Sequence, residues 1–175
     1  SLWVVLILVG YIFLKSRMST LLKRISSPLI VAFGTTSSEA VFPKLTEELE
    51  GFGVKDKIVS FMLPLGYSFN LDGSMMYMTF ASIFIAQAYG IELSVPALVL
   101  MNFTIVLASI GTPSIPGGGV IILASILQGA GIPAEGIVLI IGVERILGMF
   151  RASVNVAGDL TACMFFTNYF NKKAQ

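Results

Sequence analysis

The apolar positions of this 175-residue chain fall into blocks cut by short polar or glycine-rich segments. Residues 1–14 are apolar, whereas a helix that spans a bilayer needs about 20 such residues. Residues 1–15 therefore read as the end of a transmembrane helix whose start lies upstream. Ile25 to Phe33 is apolar but too short to span. Gly34-Thr35-Thr36-Ser37-Ser38 breaks it, and Glu39 to Glu50 has the pattern of an amphipathic helix. Thr36 and Glu39 stand at capping-box spacing. Residues 19–50 thus predict two short helices meeting at a tip, a re-entrant hairpin rather than a crossing. A broken helix over 54–89 crosses next, interrupted by Asn70-Leu71-Asp72-Gly73-Ser74. Residues 94–129 predict a second re-entrant hairpin with its tip at Gly111 to Gly119. A final helix covers 133–171. Residues 16–171 form one core, and 172–175 a cytoplasmic tail.

Composition narrows the class. The chain is 55% hydrophobic and 12% charged, with a mean hydropathy of +0.88. Globular domains carry roughly 25% charge, so the chain reads as an all-α membrane protein. A net charge of +1 gives no footing for nucleic acid. The absence of His removes His-ligated metals and every Ser-His or Cys-His pair, and the lone Cys163 makes neither a disulfide nor a metal site. Nine of the eleven basic residues fall on one predicted face, all but Arg145 and Arg151. By the positive-inside rule that face is cytoplasmic.

Backbone breaks at membrane depth are tolerated only where protein or a wet cavity satisfies them. Three breaks in one short chain imply a shared polar centre. Gly34-Thr35-Thr36-Ser37 and Gly111-Thr112-Pro113-Ser114 echo one another from opposite faces, the pattern of an inverted repeat with a midplane site. In the last helix, Glu144, Gly148, Arg151, Asn155 and Asp159 are spaced 4, 3, 4 and 4. They fall within roughly an 80° arc of one helix face. A buried charge costs about 2.5–3.5 kcal/mol on insertion scales, so this stripe should face the two tips rather than lipid. The plainer alternatives are a structural ion-pair cluster for Glu144, Arg145 and Arg151, and helix capping for Glu39, Asp72 and the tip serines.

Four segments in order resemble the dicarboxylate/amino acid:cation symporter family, which includes the glutamate transporters. Ser37-Ser38 with Pro43 is similar to the first tip. Asn70-Leu71-Asp72-Gly73-Ser74 is similar to the family's Asn-Met-Asp-Gly-Thr signature, and Gly111 to Gly119 to its second tip. Arg151-Ala-Ser-Val-Asn155-Val-Ala-Gly-Asp159 resembles its substrate-binding helix. The resemblance implies a glutamate-transporter-like transport core with two re-entrant hairpins, working by an elevator movement within a homotrimer of the inner (plasma) membrane. It implies that Arg151 clamps a substrate carboxylate, with Asn155, Ser37, Ser38, Ser74 and the backbone near Ile115 and Gly119 holding the rest. For Na⁺, the coupling ion, it implies one site at Gly66, Asn70, Asn155 and Asp159. A second lies at Ser68, Ser109, Ile110 and Thr112, and part of a third at Asp72 and Asn70.

The departures bear on the solute. In amino-acid-transporting relatives an Asp on the last helix takes the substrate ammonium and a Thr follows the Arg; here those positions are Gly148 and Ala152. An ammonium desolvated without a carboxylate is a costly mismatch. With Gly34-Thr35-x-Ser37-Ser38-Glu39 and Arg151-Ala152 resembling the C4-dicarboxylate branch, the expected cargo is succinate, fumarate or malate. Na⁺- or H⁺-coupled glutamate or aspartate symport is the alternative, with Glu39 as the nearest substitute acid. A channel would repeat one filter symmetrically, which these unlike tips do not. An intramembrane aspartyl protease would need Gly-x-Gly-Asp, and Ala157 follows Val156 before Gly158-Asp159. No enzymatic activity is expected.

Overall fold

The computed structural model describes residues 2–14, 18–69, 72–110 and 117–173, and among these every regular element is helical. The α-helices are α1 (Leu2–Leu14), α2 (Met18–Thr35), α3 (Phe42–Gly51), α4 (Asp56–Phe69), α5 (Asp72–Ala88), α6 (Val95–Ser109), α7 (Gly118–Gly129) and α8 (Val138–Lys173). Short 3₁₀ turns lead into α3 at Glu39–Val41 and into α8 at Ala134–Ile137.

Local chemistry sets several of these boundaries. Proline at the first helical positions opens α3 (Pro43) and α6 (Pro96), where a missing N–H costs nothing. The Ser94 side chain accepts from the Ala97 N–H and caps α6. Helix α2 starts at Met18, ahead of the apolar run, and carries Pro28 within it. It ends because Thr36 adopts φ +56°. This left-handed turn also displaces the capping box expected at Thr36 and Glu39: the first 3₁₀ turn begins after Ser38, and the Ala40 N–H meets Ser37 Oγ at 3.4 Å.

Two cores share α8. Leu21, Ile25, Leu45, Leu49, Val59 and Leu63 pack with Ala152, Val156, Leu160 and Cys163 of α8. Met78, Ile85, Met101, Ile105, Leu123 and Leu127 pack with Ile140. Between Arg151 and Leu160 every residue of α8 is buried. A helix surrounded on all sides lies at the centre of its fold, yet this one carries Arg151, Ser153, Asn155 and Asp159 there.

Among the described residues no helix is both long and apolar enough to cross a membrane. The segment expected to cross at 54–89 consists of two shorter helices, α4 and α5, and α8 is long but interrupted by its charged stripe. The outside is nevertheless apolar. Ile30, Phe61, Phe80, Leu100, Ile121 and Val138, on six different helices, are each more than 60% exposed. Single exposed hydrophobics are ordinary; such a set on so many helices calls for apolar cover.

Candidate functional site

The charged stripe of α8 organises three adjoining features. The first is a cavity of about 390 Å³ lined by Thr35 and Thr36 of the first tip, Gly117 of the second, and Glu144, Arg145, Gly148 and Arg151 of α8. That volume is typical of a small-molecule site. Arg151 is buried at 6% exposure, and its guanidinium packs against Gly119 at the start of α7. Its Cζ lies 5.8 Å from the centroid of the Tyr77 ring, within cation–π range. No carboxylate of the described residues lies within 4.0 Å of this guanidinium. The described ion pair is Arg24 with Glu48, at 3.8 Å and remote from the cavity.

The second feature joins α5 to α8. The Gly73 N–H donates to Asn155 Oδ1 at 2.9 Å, and Asn155 Nδ2 donates to Ser74 Oγ at 3.1 Å. Asn155 and Ser74 are both buried, so a side-chain amide satisfies one free N–H of a helix start inside the fold and holds the neighbouring hydroxyl. A side chain at Gly73 would meet the Arg151 carbonyl at 2.6 Å, so glycine permits this approach.

The third feature lies one turn further on. Asp159 is 2% exposed, and Gly66 of α4 lies directly against its carboxylate. Next to it, the Tyr67 hydroxyl donates to the Ser38 carbonyl and the ring packs on Phe42, centroids 5.2 Å apart. This ties the last turns of α4 to the first tip. Among the described residues no three His, Cys, Asp or Glu side chains cluster for a metal.

The other residues singled out in the sequence take varied places. Ser37 and Ser38 are buried at the first tip, but Thr35 and Thr36 are the tip residues that line the Arg151 cavity. Gly119 reaches the guanidinium. Ser68 is half-buried in the last turn of α4, and Asp72 is half-buried as the first residue of α5. Ser109 is buried at the end of α6, its hydroxyl donating to the Val106 carbonyl, and Ile110 is exposed in extended conformation. Asn70, Thr112 and Ile115 lie outside the described residues. Glu39, the acid expected nearest the cavity, is exposed and lines a separate depression with Phe42, Pro64 and Tyr67. The acid in the cavity is Glu144, whose carboxylate accepts the Tyr77 hydroxyl. Tyr77 itself is unmarked in the sequence reading. Its signal is position: four residues after Gly73, one helical turn from the contact with α8.

A groove of about 550 Å³ flanks Arg151 on its other side, but Met76, Phe80, Phe84, Val143, Leu147 and Phe150 line it. The other polar side chain in its lining is Tyr77, whose hydroxyl already donates to Glu144.

The sequence pattern of the sodium:dicarboxylate symporter family matches residues 1–169. A proton/glutamate-aspartate symporter of Escherichia coli is 41% identical over 152 residues, 87% of this chain and 35% of that protein. A proton/sodium-glutamate symport protein of Geobacillus stearothermophilus is 41% identical over 149 residues, 85% of this chain and 35% of that protein. A C4-dicarboxylate transport protein of Rhizobium etli is 38% identical over 175 residues, 98% of this chain and 40% of that protein. The chain spans between 35% and 40% of the length of these three relatives.

Proposed function

This chain belongs to the sodium:dicarboxylate symporter family, and on that footing we propose that it forms the solute- and ion-binding core of a Na⁺-coupled importer of C4-dicarboxylates. One observation carries the reading. Arg151 is buried, makes no ion pair among the described residues, and opens into a cavity sized for a small molecule. A buried guanidinium without an anion is costly, and its planar fork matches a carboxylate held by two parallel hydrogen bonds. The two tips supply the rest of the wall. The absence of a side chain at Gly148 leaves room for the chain of the solute rather than a carboxylate for its ammonium.

The coupling ion belongs beside Asp159. A carboxylate 2% exposed, with a glycine backbone against it, favours a desolvated cation that takes oxygen ligands. Na⁺ is then a co-substrate, held by Asp159 with carbonyls from the end of α4. Asn155 lies on the same face, between Arg151 and Asp159, and links solute and ion through one helix. The exposed apolar side chains of α2 and α4 to α8 are met by lipid or by the remainder of an assembled trimer. The two hairpins enter from opposite faces of an inner or plasma membrane. The second tip serves as the gate, and the core slides as an elevator.

A second reading has its own support. Glu144 places a carboxylate in the same cavity, one turn before Gly148, and relatives at 41% identity are named glutamate symporters. Glutamate or aspartate is the cargo under that reading. Uptake by the complete protein in proteoliposomes separates the two. The expected result is accumulation of succinate, driven by a Na⁺ gradient and poorly inhibited by aspartate, with loss of uptake in Arg151→Ala. Accumulation of aspartate in preference to succinate would replace the dicarboxylate reading. Uptake that survives Arg151→Ala would overturn the role of the guanidinium.

A further inference from the structure

Glu144 and Arg151 stand seven residues apart, two turns along one face of α8, and both line the cavity. Gly148 lies between them and has no side chain to separate them. Side chains on a helix lean toward its N-terminus, so Arg151 leans toward the turn that carries Glu144. Opposite charges at a protein surface attract more strongly than they do in bulk water. Left to themselves the two would close into an ion pair, and the guanidinium fork would be spent on its own helix.

They do not meet, because Tyr77 of α5 engages both. Its hydroxyl donates to Glu144 Oε2, and the face of the same ring carries the Arg151 guanidinium. Tyr77 is 8% exposed and packed among Met78, Ala81 and Leu123, so the ring has little freedom to follow either partner. We propose that Tyr77 is a positioning residue: its hydroxyl holds Glu144 off Arg151 and thereby keeps the guanidinium free for the carboxylate of an incoming solute. The assignment rests on the reading of Arg151 as the solute clamp, and it makes a demand that packing alone does not. If the ring merely fills space, losing the hydroxyl changes nothing. If the hydroxyl restrains Glu144, its loss creates an internal competitor, and neutralising Glu144 removes that competitor.

The test is equilibrium binding of radiolabelled succinate to the complete protein at saturating Na⁺, with uptake kinetics beside it. Tyr77→Phe is expected to weaken binding about tenfold, seen in uptake as a raised KM with the maximal rate retained. Adding Glu144→Gln to Tyr77→Phe is expected to bring affinity back to within about threefold of the parent protein. Glu144→Gln alone, which does not depend on the first variant folding, should bind at least as well as the parent. Parental affinity in Tyr77→Phe overturns the proposal. So does a double variant as weak as Tyr77→Phe, or a tenfold loss in Glu144→Gln alone. Arg151→Ala in the same assay keeps the two claims apart. Retained binding there sinks the clamp, whereas lost binding there with unaffected Tyr77→Phe sinks only the spacer.

Discussion

Replacing Gly66 by alanine probes the proposed cation site without removing a charged group. A Cβ built on Gly66 overlaps Asp159 Oδ1, stands 2.8 Å from Asp159 Cγ and 3.4 Å from its Cβ. Both residues belong to packed helices and Asp159 is 2% exposed, so neither backbone can retreat cheaply. The new methyl must push the carboxylate into another rotamer or force α4 away from α8. Overpacking of this kind costs about 1–3 kcal/mol. If the free protein relieves the clash by moving the carboxylate and Na⁺ binding requires it back in place, that cost falls on the bound state alone, and the half-saturating Na⁺ concentration rises about five- to 150-fold. The assay is succinate uptake into proteoliposomes as a function of external Na⁺, paired with thermal melting with and without Na⁺. Asp159→Asn, which preserves volume and removes the charge, should raise the Na⁺ requirement with far less change in the Na⁺-free melting temperature. An unchanged Na⁺ dependence in Gly66→Ala would refute the reasoning, because the carboxylate cannot be both at the ion site and indifferent to a methyl placed on top of it.

Two further variants test other parts of α8. Gly148→Asp combined with Ala152→Thr should shift preference from succinate toward aspartate. A Cβ at Gly148 meets Thr36 at 3.7 and 3.8 Å, ordinary contact, so the first carbon of the new side chain fits; competition uptake with the two solutes measures the shift, and an unchanged ratio places discrimination elsewhere. Asn155→Ala should destabilise the protein by about 1–3 kcal/mol, because it strands the buried Gly73 N–H at the start of α5. Thermal melting in the absence of solute and Na⁺ reads this, and a melting temperature within a degree of the parent would mean that the Asn155 link between α5 and α8 carries no load.

The parts of this fold that are legible in the sequence are those where one residue's chemistry decides the local backbone. The break after Thr35, the prolines that open α3 and α6, and the five-residue stripe of α8 follow from turn, capping and periodicity arguments that need no partner. What stays hidden depends on contacts between segments far apart in the chain. Thr36 illustrates this. Its spacing to Glu39 suits a capping box, but tertiary packing sets it at φ +56° beside Gly148, a conformation that a β-branched residue adopts only when its surroundings impose it. Glu39, which looked like the nearest acid from its place at the first tip, faces a different depression from the one Arg151 opens into. Tyr77 is an ordinary aromatic in an apolar run until α5 is laid against α8.

Relatives of similar identity are named for glutamate-aspartate symport and for C4-dicarboxylate transport. A cationic fork and a buried carboxylate two turns apart on one helix suit any small acid carried with a cation. Discrimination between a dicarboxylate and an amino acid turns instead on which charge stands opposite the fork. At Gly148 the helix presents none; at Glu144, one turn away, it presents a carboxylate. That carboxylate is already engaged by the Tyr77 hydroxyl. To pair with an ammonium it would have to accept a second donor or give up the first, whereas a dicarboxylate needs nothing from it. On the proposed reading, a dicarboxylate therefore has an advantage that depends on one hydroxyl, and cargo choice is linked to the residue proposed to keep Arg151 unpaired.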